Sequence, residues 1–267
     1  MDTPNHRPLN KKQLDILRLL YRFRFGTTAL FTQALQTKSK IKMNERLKIL
    51  LDQQYIGRHF EPEYHLLRKH ASYYLLPDGI DALRQIPDNK FDKSILRNIR
   101  KDKTASAQFI DHCLGIFNLY CQFQKTHGDK VHFFTKSQLV NKYEYFSEFA
   151  PNAYIRLDTG ESEQDFLLEY LQSTKPFFTI MQRLKEYAEY GSSGEWEAET
   201  NSDFPKVLLV CDKPILQKRL MKKAATIIDD ADDELKFYVA SPKDSEAEDM
   251  SWHNLTEPDR VFSLSSI

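Results

Sequence analysis

SKIKMNERLKILLDQQ, Ser39–Gln54, is the stretch on which the fold of this chain turns. Met43, Leu47, Leu50 and Leu51 recur at the spacing of one helix face, while Asn44, Glu45, Lys48 and Asp52 point away from it. Lys38, Lys40 and Lys42 crowd the start of that helix. The hydrophobic period then drops from about 3.6 to about 2. Tyr55–Phe60 reads as a strand, Glu61–His70 as a polar loop and Ala71–Leu76 as a returning strand.

Upstream, Asn10 is placed to cap an amphipathic helix over Lys11–Phe23, with Leu14, Leu17 and Leu20 or Tyr21 at helical spacing. Gly26 is expected to break it, and Thr27 or Thr28 to cap a short second helix through about Leu35. Downstream, Pro77-Asp78-Gly79 opens a further short helix through about Gln85. Three helices followed by a hairpin make a winged helix, whose third helix enters the DNA major groove. Lys38, Lys40 and Lys42 can then reach phosphates, beside a helix N-terminus that itself favours anions. Asn44 and Lys48, one turn apart on the outward face, can reach base edges. Arg58, Arg68, Lys69 and His70 fall on or beside the wing, close to the backbone or minor groove. Winged helices also serve as protein-interaction modules, and a run of charges is often only a solvated face.

The charge distribution favours a polyanion partner. The 267 residues carry 38 basic and 38 acidic side chains, yet the balance is uneven along the chain. Residues 1–103 hold 21 Lys and Arg against 11 Asp and Glu, a net of +10; residues 104–267 hold 17 against 27, a net of −10. A basic half joined to an acidic half suggests a DNA-binding module attached to something with another task. At 41% hydrophobic and 28% charged the composition is globular. There is no apolar run of the length a membrane helix needs, and Met1–Asn10 is polar, unlike a signal peptide. Cys113, Cys121 and Cys211 form no CxxC pair and read as reduced, buried thiols of a cytoplasmic protein.

We therefore expect an α+β protein of two domains: a winged helix over 1–86, a basic linker over 87–103 and an α/β domain over 104–267. The linker carries Lys90, Lys93, Arg97, Arg100, Lys101 and Lys103 and reads as a part-helical connector. After it comes a helix over Thr104–Gln124, on which His112 reads as a packing residue. Strands follow near Val131–Val140, Ala153–Asp158 and Asp165–Leu171, the last two a hairpin around Gly160. A helix over Lys175–Tyr190, an acidic loop over Gly191–Asp203, a buried strand over Lys206–Cys211, a helix over Ile215–Ile228 and a strand over Leu235–Ala240 complete the order.

That order resembles the core of the restriction-endonuclease-like fold. The chain from Leu9 to about Ala240 also resembles the replication-relaxation family. The matching stretches are Tyr73-Tyr74-Leu75-Leu76-Pro77-Asp78-Gly79, the helix around His112, Pro151-Asn152-Ala153, Phe166-Leu167-Leu168-Glu169, Arg183-Leu184-Lys185-Glu186-Tyr187 and Phe204-Pro205-Lys206-Val207. The resemblance implies a winged-helix protein of plasmids and mobile elements, acting in replication or mobilisation. It also implies a nuclease-like motif that is degenerate here. Asn152 stands where the pattern has Asp, Leu171 where it has a second acid, and Arg183 where it has Lys; Glu169 alone keeps its place. Two carboxylates on adjacent strands are what would hold a divalent metal, so no catalytic residue, metal or cofactor is expected. Asp158, Asp165 and Lys175 are the nearby groups that a substitute site would have to recruit.

Three functions remain open to the sequence. The first is a double-stranded DNA-binding accessory protein that recruits a relaxase or replication initiator, away from any membrane, with the second domain the place for a homodimer contact. The second is a winged-helix transcription regulator with an α/β sensor or dimerisation domain. The third, a metal-dependent nuclease, is disfavoured by Asn152 and Leu171.

Overall fold

In a computed structural model the chain divides into two units, Met1–Cys121 and Gln122–Ile267. The structure describes residues 8–60, 69–86, 93–139, 146, 149–160, 162–224, 235–241, 250–257 and 259–267.

In the first unit, α1 (Lys11–Phe23) begins at a reciprocal cap. The Asn10 side chain accepts from the Gln13 N–H at 3.0 Å, and the Gln13 side chain accepts from the Asn10 N–H at 3.0 Å. Its inward face buries Ile16, Leu17, Leu20 and Phe23. The helix ends at Phe23 as expected, with Arg24 at φ 70° as its C-cap. Gly26 belongs to a two-residue strand, β1 (Phe25–Gly26), where a Cβ would stand 2.3 Å from the Phe31 ring. Thr27 caps α2 (Thr28–Ala34), and Ser39 caps α3 (Lys40–Asp52) by accepting from the Lys42 N–H at 3.3 Å.

Strands β2 (Ile56–His59) and β3 (Ser72–Leu75) pair antiparallel, with β1 along the other edge of β3. The register sets Gly57 opposite Tyr74 and Arg58 opposite Tyr73. α4 (Pro77–Arg84) then starts against the hairpin. Gly79 lies so close to the Tyr55 carbonyl that a Cβ would be 2.2 Å from its oxygen.

The expected linker is part helical where it is described, and it is packed. Residues 93–104 form α5 (Lys93–Ile99) and a 3-10 turn (Asp102–Thr104). Leu96 and Ile99 are buried, and Asp102 is 0% exposed. Arg24 holds that acid: its Nη2 donates to Oδ1, its Nε donates to Oδ2 at 3.3 Å, and Nη2 also donates to the Asn98 carbonyl at 2.8 Å. The His59 ring nitrogen Nε2 lies 2.8 Å from the Asp102 carbonyl oxygen. α6 (Ala107–His127) continues this packing, with Phe117 stacked on Phe23 at 4.4 Å and Cys121 against the Leu30 carbonyl at 3.8 Å. These contacts put the division after Cys121, inside α6, whereas the sequence places it before that helix.

The second unit is built on a seven-stranded sheet of order β10-β9-β8-β7-β6-β5-β4. Its elements in chain order are β4 (Val131–Thr135), α7 (Lys136–Leu139), β5 (Ala153–Asp158), β6 (Glu163–Leu171), α8 (Phe177–Ser192) and α9 (Glu195–Thr200). There follow β7 (Lys206–Cys211), α10 (Pro214–Lys223), β8 (Phe237–Ala240), β9 (Trp252–Asn254) and β10 (Val261–Phe262). β6, β7 and β8 run parallel at the centre, and the remaining neighbours pair antiparallel. The expected hairpin is present as β5 and β6, with Ile155 opposite Phe166 and Asp158 opposite Glu163. Val207, Leu208, Leu209 and Cys211 are wholly buried on the central strand, as a two-sided sheet requires.

Three local readings change. The first strand stops at Thr135, because its N–H and hydroxyl both turn to the Gln138 side chain and start α7; Val140 lies outside the described residues. The acidic segment after α8 contains α9, which buries Trp196. Strands β9 and β10, with fully buried Trp252, have no counterpart in the sequence pattern. Among the described residues, no helix is long and apolar enough to cross a membrane. Cys113, Cys121 and Cys211 are free and buried, and burial pushes the thiols of Cys113 and Cys121 up to about 12.

Burial pushes the Asp102 carboxyl up from 3.8 to about 6, against the opposing pull of Arg24. A carboxyl raised in the folded state contributes most to stability below pH 3.8, and that contribution is lost as pH rises through about 6. Arg24→Ala removes the counter-charge and should therefore destabilise the first unit more at pH 7.5 than at pH 5. Asp102→Asn should flatten the pH dependence over that window. Urea unfolding at the two pH values checks both outcomes.

Candidate nucleic-acid interface

Met43 and Leu50 are 0% exposed and Leu47 is 1% exposed, so α3 has one committed inner side. The opposite side is determined by that choice, since residues at i, i+4 and i+7 share a face. Lys42, Asn44 and Lys48 are exposed away from the seam, Lys40 is exposed at the first position of the helix on the seam's side, and Lys38 is exposed just before the cap. No acidic residue lies in the first turn of α3 to offset these cations. Thr28 on α2 donates its hydroxyl to the Asn44 side-chain oxygen at 3.0 Å, which orients the amide on the outer face.

On the hairpin, Arg58 is exposed on β2, its guanidinium 5.3 Å from the centre of the Phe60 ring. Lys69 and His70 are exposed just before β3. Arg68 lies outside the described residues. The named residues thus fall into an α3 group and a hairpin group, both belonging to the first unit.

The basic pattern in the sequence draws attention away from Ile41. It sits between Lys40 and Lys42 and is 72% exposed. The signal is nonetheless there, because Ile41 stands two residues before Met43 and so off the buried face. An apolar side chain at that place can meet a thymine methyl group.

The residues of the degenerate motif lie in the second unit and have structural partners. The Asn152 side-chain oxygen accepts from the Tyr170 N–H at 2.8 Å, pinning β5 to β6. Leu171 is 5% exposed within the core that includes Leu167, Ile180, Leu184 and Leu209. Glu169 is also 5% exposed. Its Oε1 accepts from Arg183 Nε at 2.9 Å, from Arg183 Nη2 at 2.6 Å and from the Tyr187 hydroxyl at 2.8 Å. Arg183 also donates to the Ala150 carbonyl at 3.0 Å and lies 4.0 Å from the centre of the Phe149 ring. Burial pulls Arg183 down, but the charge of Glu169 and its hydrogen bonds leave it above its ordinary value. Burial, with Glu169 second, pushes the Tyr187 phenol well above its usual range.

The groups that could have substituted are engaged elsewhere or stand apart. Arg156 donates to both oxygens of Asp165, at 2.8 and 2.9 Å, across the β5–β6 pair. Asp158 accepts from the Gly160 N–H at 2.7 Å in the turn. Lys175 is exposed before α8. Among the described residues, no group of three or more His, Cys, Asp or Glu side chains is placed to hold a metal ion.

The architecture is mixed α+β, with a surface-exposed cationic helix in one unit and a neutralised carboxylate in the other. A family model described as replication-relaxation matches residues 17–207, most of the chain. The protein belongs to the replication-relaxation family. Among solved structures it is similar to the restriction endonuclease FokI, with a TM-score of 0.32 and 9% sequence identity over 88% of this chain. The match spans 42% of that enzyme, and a likeness so distant carries no conclusion about function. A comparison with curated proteins finds no match.

Removing Arg183 leaves a buried carboxylate without its cation. Arg183→Ala should destabilise the second unit by about 3–5 kcal/mol at pH 7. Replacing both charges together, as Glu169→Gln with Arg183→Met, should be the milder change. Denaturant unfolding of the two variants measures the difference; a double variant less stable than Arg183→Ala would contradict the uncompensated carboxylate as the source of the loss.

Proposed function

We propose that this protein is a double-stranded DNA-binding accessory factor in the replication or mobilisation of a genetic element. In this reading the first unit is a winged helix, α3 lies in the major groove and the β2–β3 hairpin is the wing. The observation that carries it is the exposed set Lys38, Lys40, Lys42, Asn44 and Lys48 at and along α3, whose seam of Met43, Leu47 and Leu50 is buried. Lysines at the start of a helix add to the partial positive charge of its terminal N–H groups, and both favour phosphate. Asn44 and Ile41 supply the base-reading chemistry, a polar amide and an apolar contact, on the same outer side. The family description supports replication as the setting. A transcription regulator would use the same surface, but nothing in the family description points to it.

The second unit, in this reading, is a restriction-endonuclease-like scaffold that has given up cleavage. Support comes from Leu171, which offers no ligand, and from Glu169, whose charge is matched by Arg183. Its task is then contact: with a relaxase, with a replication initiator or with a second copy of the chain. The protein works in the cytoplasm, where its DNA is.

Replacing Lys40, Lys42 and Lys48 together with alanine should weaken duplex binding at least about tenfold, roughly 1.4 kcal/mol. Fluorescence anisotropy with a labelled duplex at fixed salt reads this directly, and unchanged affinity would remove α3 from the interface. Wild-type protein incubated with supercoiled plasmid and Mg²⁺ or Mn²⁺ should leave the plasmid intact. Nicking at a defined site would overturn the non-catalytic reading.

A further inference from the structure

The second unit carries an open groove of about 560 Å³ lined by Phe177, Phe178, Met181, Gln182, Lys185 and Arg219. One lining side chain stands out: Phe178 is 75% exposed. On α10, four residues before Arg219, Ile215 is 74% exposed. A phenylalanine left in water forgoes roughly 2 kcal/mol of burial, so a ring this open is more at home under a ligand. Beside it, the Arg219 guanidinium lies 3.9 Å from the centre of the Phe177 ring, a stacked cation–π contact that presents a flat cationic face.

Charge indicates what covers the groove. Residues 122–267 hold 17 Lys and Arg against 26 Asp and Glu, a net of −9, yet α10 holds Lys218, Arg219, Lys222 and Lys223 and no acidic residue. All four are exposed, as are Lys213 before the helix and Lys175 before α8. The acids on α8 near this region are already paired: Glu186 with Arg183, and Glu189 with Lys185 at 3.5 Å. Positive charge is therefore gathered at one place on an otherwise acidic unit, around two phenylalanines. An alternation of phosphate and unstacked base matches such a surface; a duplex offers the phosphate but keeps its base faces stacked inside.

From the exposed Phe178, the Arg219–Phe177 stack and the basic α10, we infer that this groove binds single-stranded nucleic acid, phosphates on the lysines and a base on Phe178. This site is separate from α3 and does not depend on the duplex-binding role proposed for it. It would let one chain hold a duplex on one unit and an unpaired strand on the other.

The test is anisotropy of a labelled oligo(dT) of about 12 nucleotides, within the range of ssDNA site sizes, against the full chain, with a hairpin duplex as the second probe. Phe178→Ala and Arg219→Ala should each weaken oligo(dT) binding about tenfold, the scale of one lost base stack, with duplex binding unchanged within twofold. Phe178→Trp keeps a platform and should restore or tighten binding, which separates loss of stacking from loss of fold. Lys40→Ala/Lys42→Ala/Lys48→Ala should retain oligo(dT) binding. The inference is overturned if oligo(dT) does not bind, or if the Phe178 and Arg219 variants bind it like wild type. It is also overturned if an acidic amphipathic peptide occupies the groove and oligo(dT) fails to displace it, since the surface would then be a protein-docking site.

Discussion

The buried seam of Met43, Leu47 and Leu50 fixes the rotation of α3 about its own axis, and the rest of the proposed interface follows from that rotation. Turning the helix to bring its lysines inward would expose three large apolar side chains, each worth roughly 1.5–3 kcal/mol when buried, and would bury unpaired cations. Neither can be tolerated, so Lys42 and Lys48 face outward, while Lys40 is exposed because it is the first residue of the helix. The caps sharpen the arrangement. Ser39 defines where α3 begins, so Lys38, Lys40 and Lys42 all fall at the positive end of the helix dipole. Thr28 fixes the Asn44 amide from α2.

The second unit handles charge differently. Asn152, Leu171 and Arg183 each have a defined structural task. The neutral amide can accept a backbone N–H, the leucine joins the core, and the arginine reaches far enough to hold Glu169 with two donors. The longer, forked side chain also satisfies the Ala150 carbonyl and covers Phe149. The Glu169 carboxylate here belongs to a buried hydrogen-bonded cluster with Arg183 and Tyr187.

The helices and paired strands of both units were legible because they rest on local signals. Asn10 marks the start of α1, and the α3 period names its own buried face. The Lys206–Cys211 run announces a central strand. What escaped depends on partners far along the chain. Asp102 reads as one more charge in a basic linker, but it is buried because Arg24, 78 residues earlier, reaches it. Leu96 and Ile99 gain a place to pack only once that turn is docked. Strands β9 and β10 are three and two residues long, too short for periodicity to reveal. Phe178 and Ile215 sit inside correctly expected helices, yet their exposure is set by what α8 and α10 leave uncovered.

Site-specific photo-cross-linking tests the account most directly. A photoreactive phenylalanine analogue placed at Ile41 reports what approaches the outer side of α3, and one at Phe134, 39% exposed on β4 of the second unit, serves as the reference. With a duplex bound by the otherwise wild-type chain, cross-links to DNA are expected from position 41 and not from position 134. Cross-links from position 134 alone, or none from position 41 under saturating duplex, would contradict α3 as the helix that meets the groove.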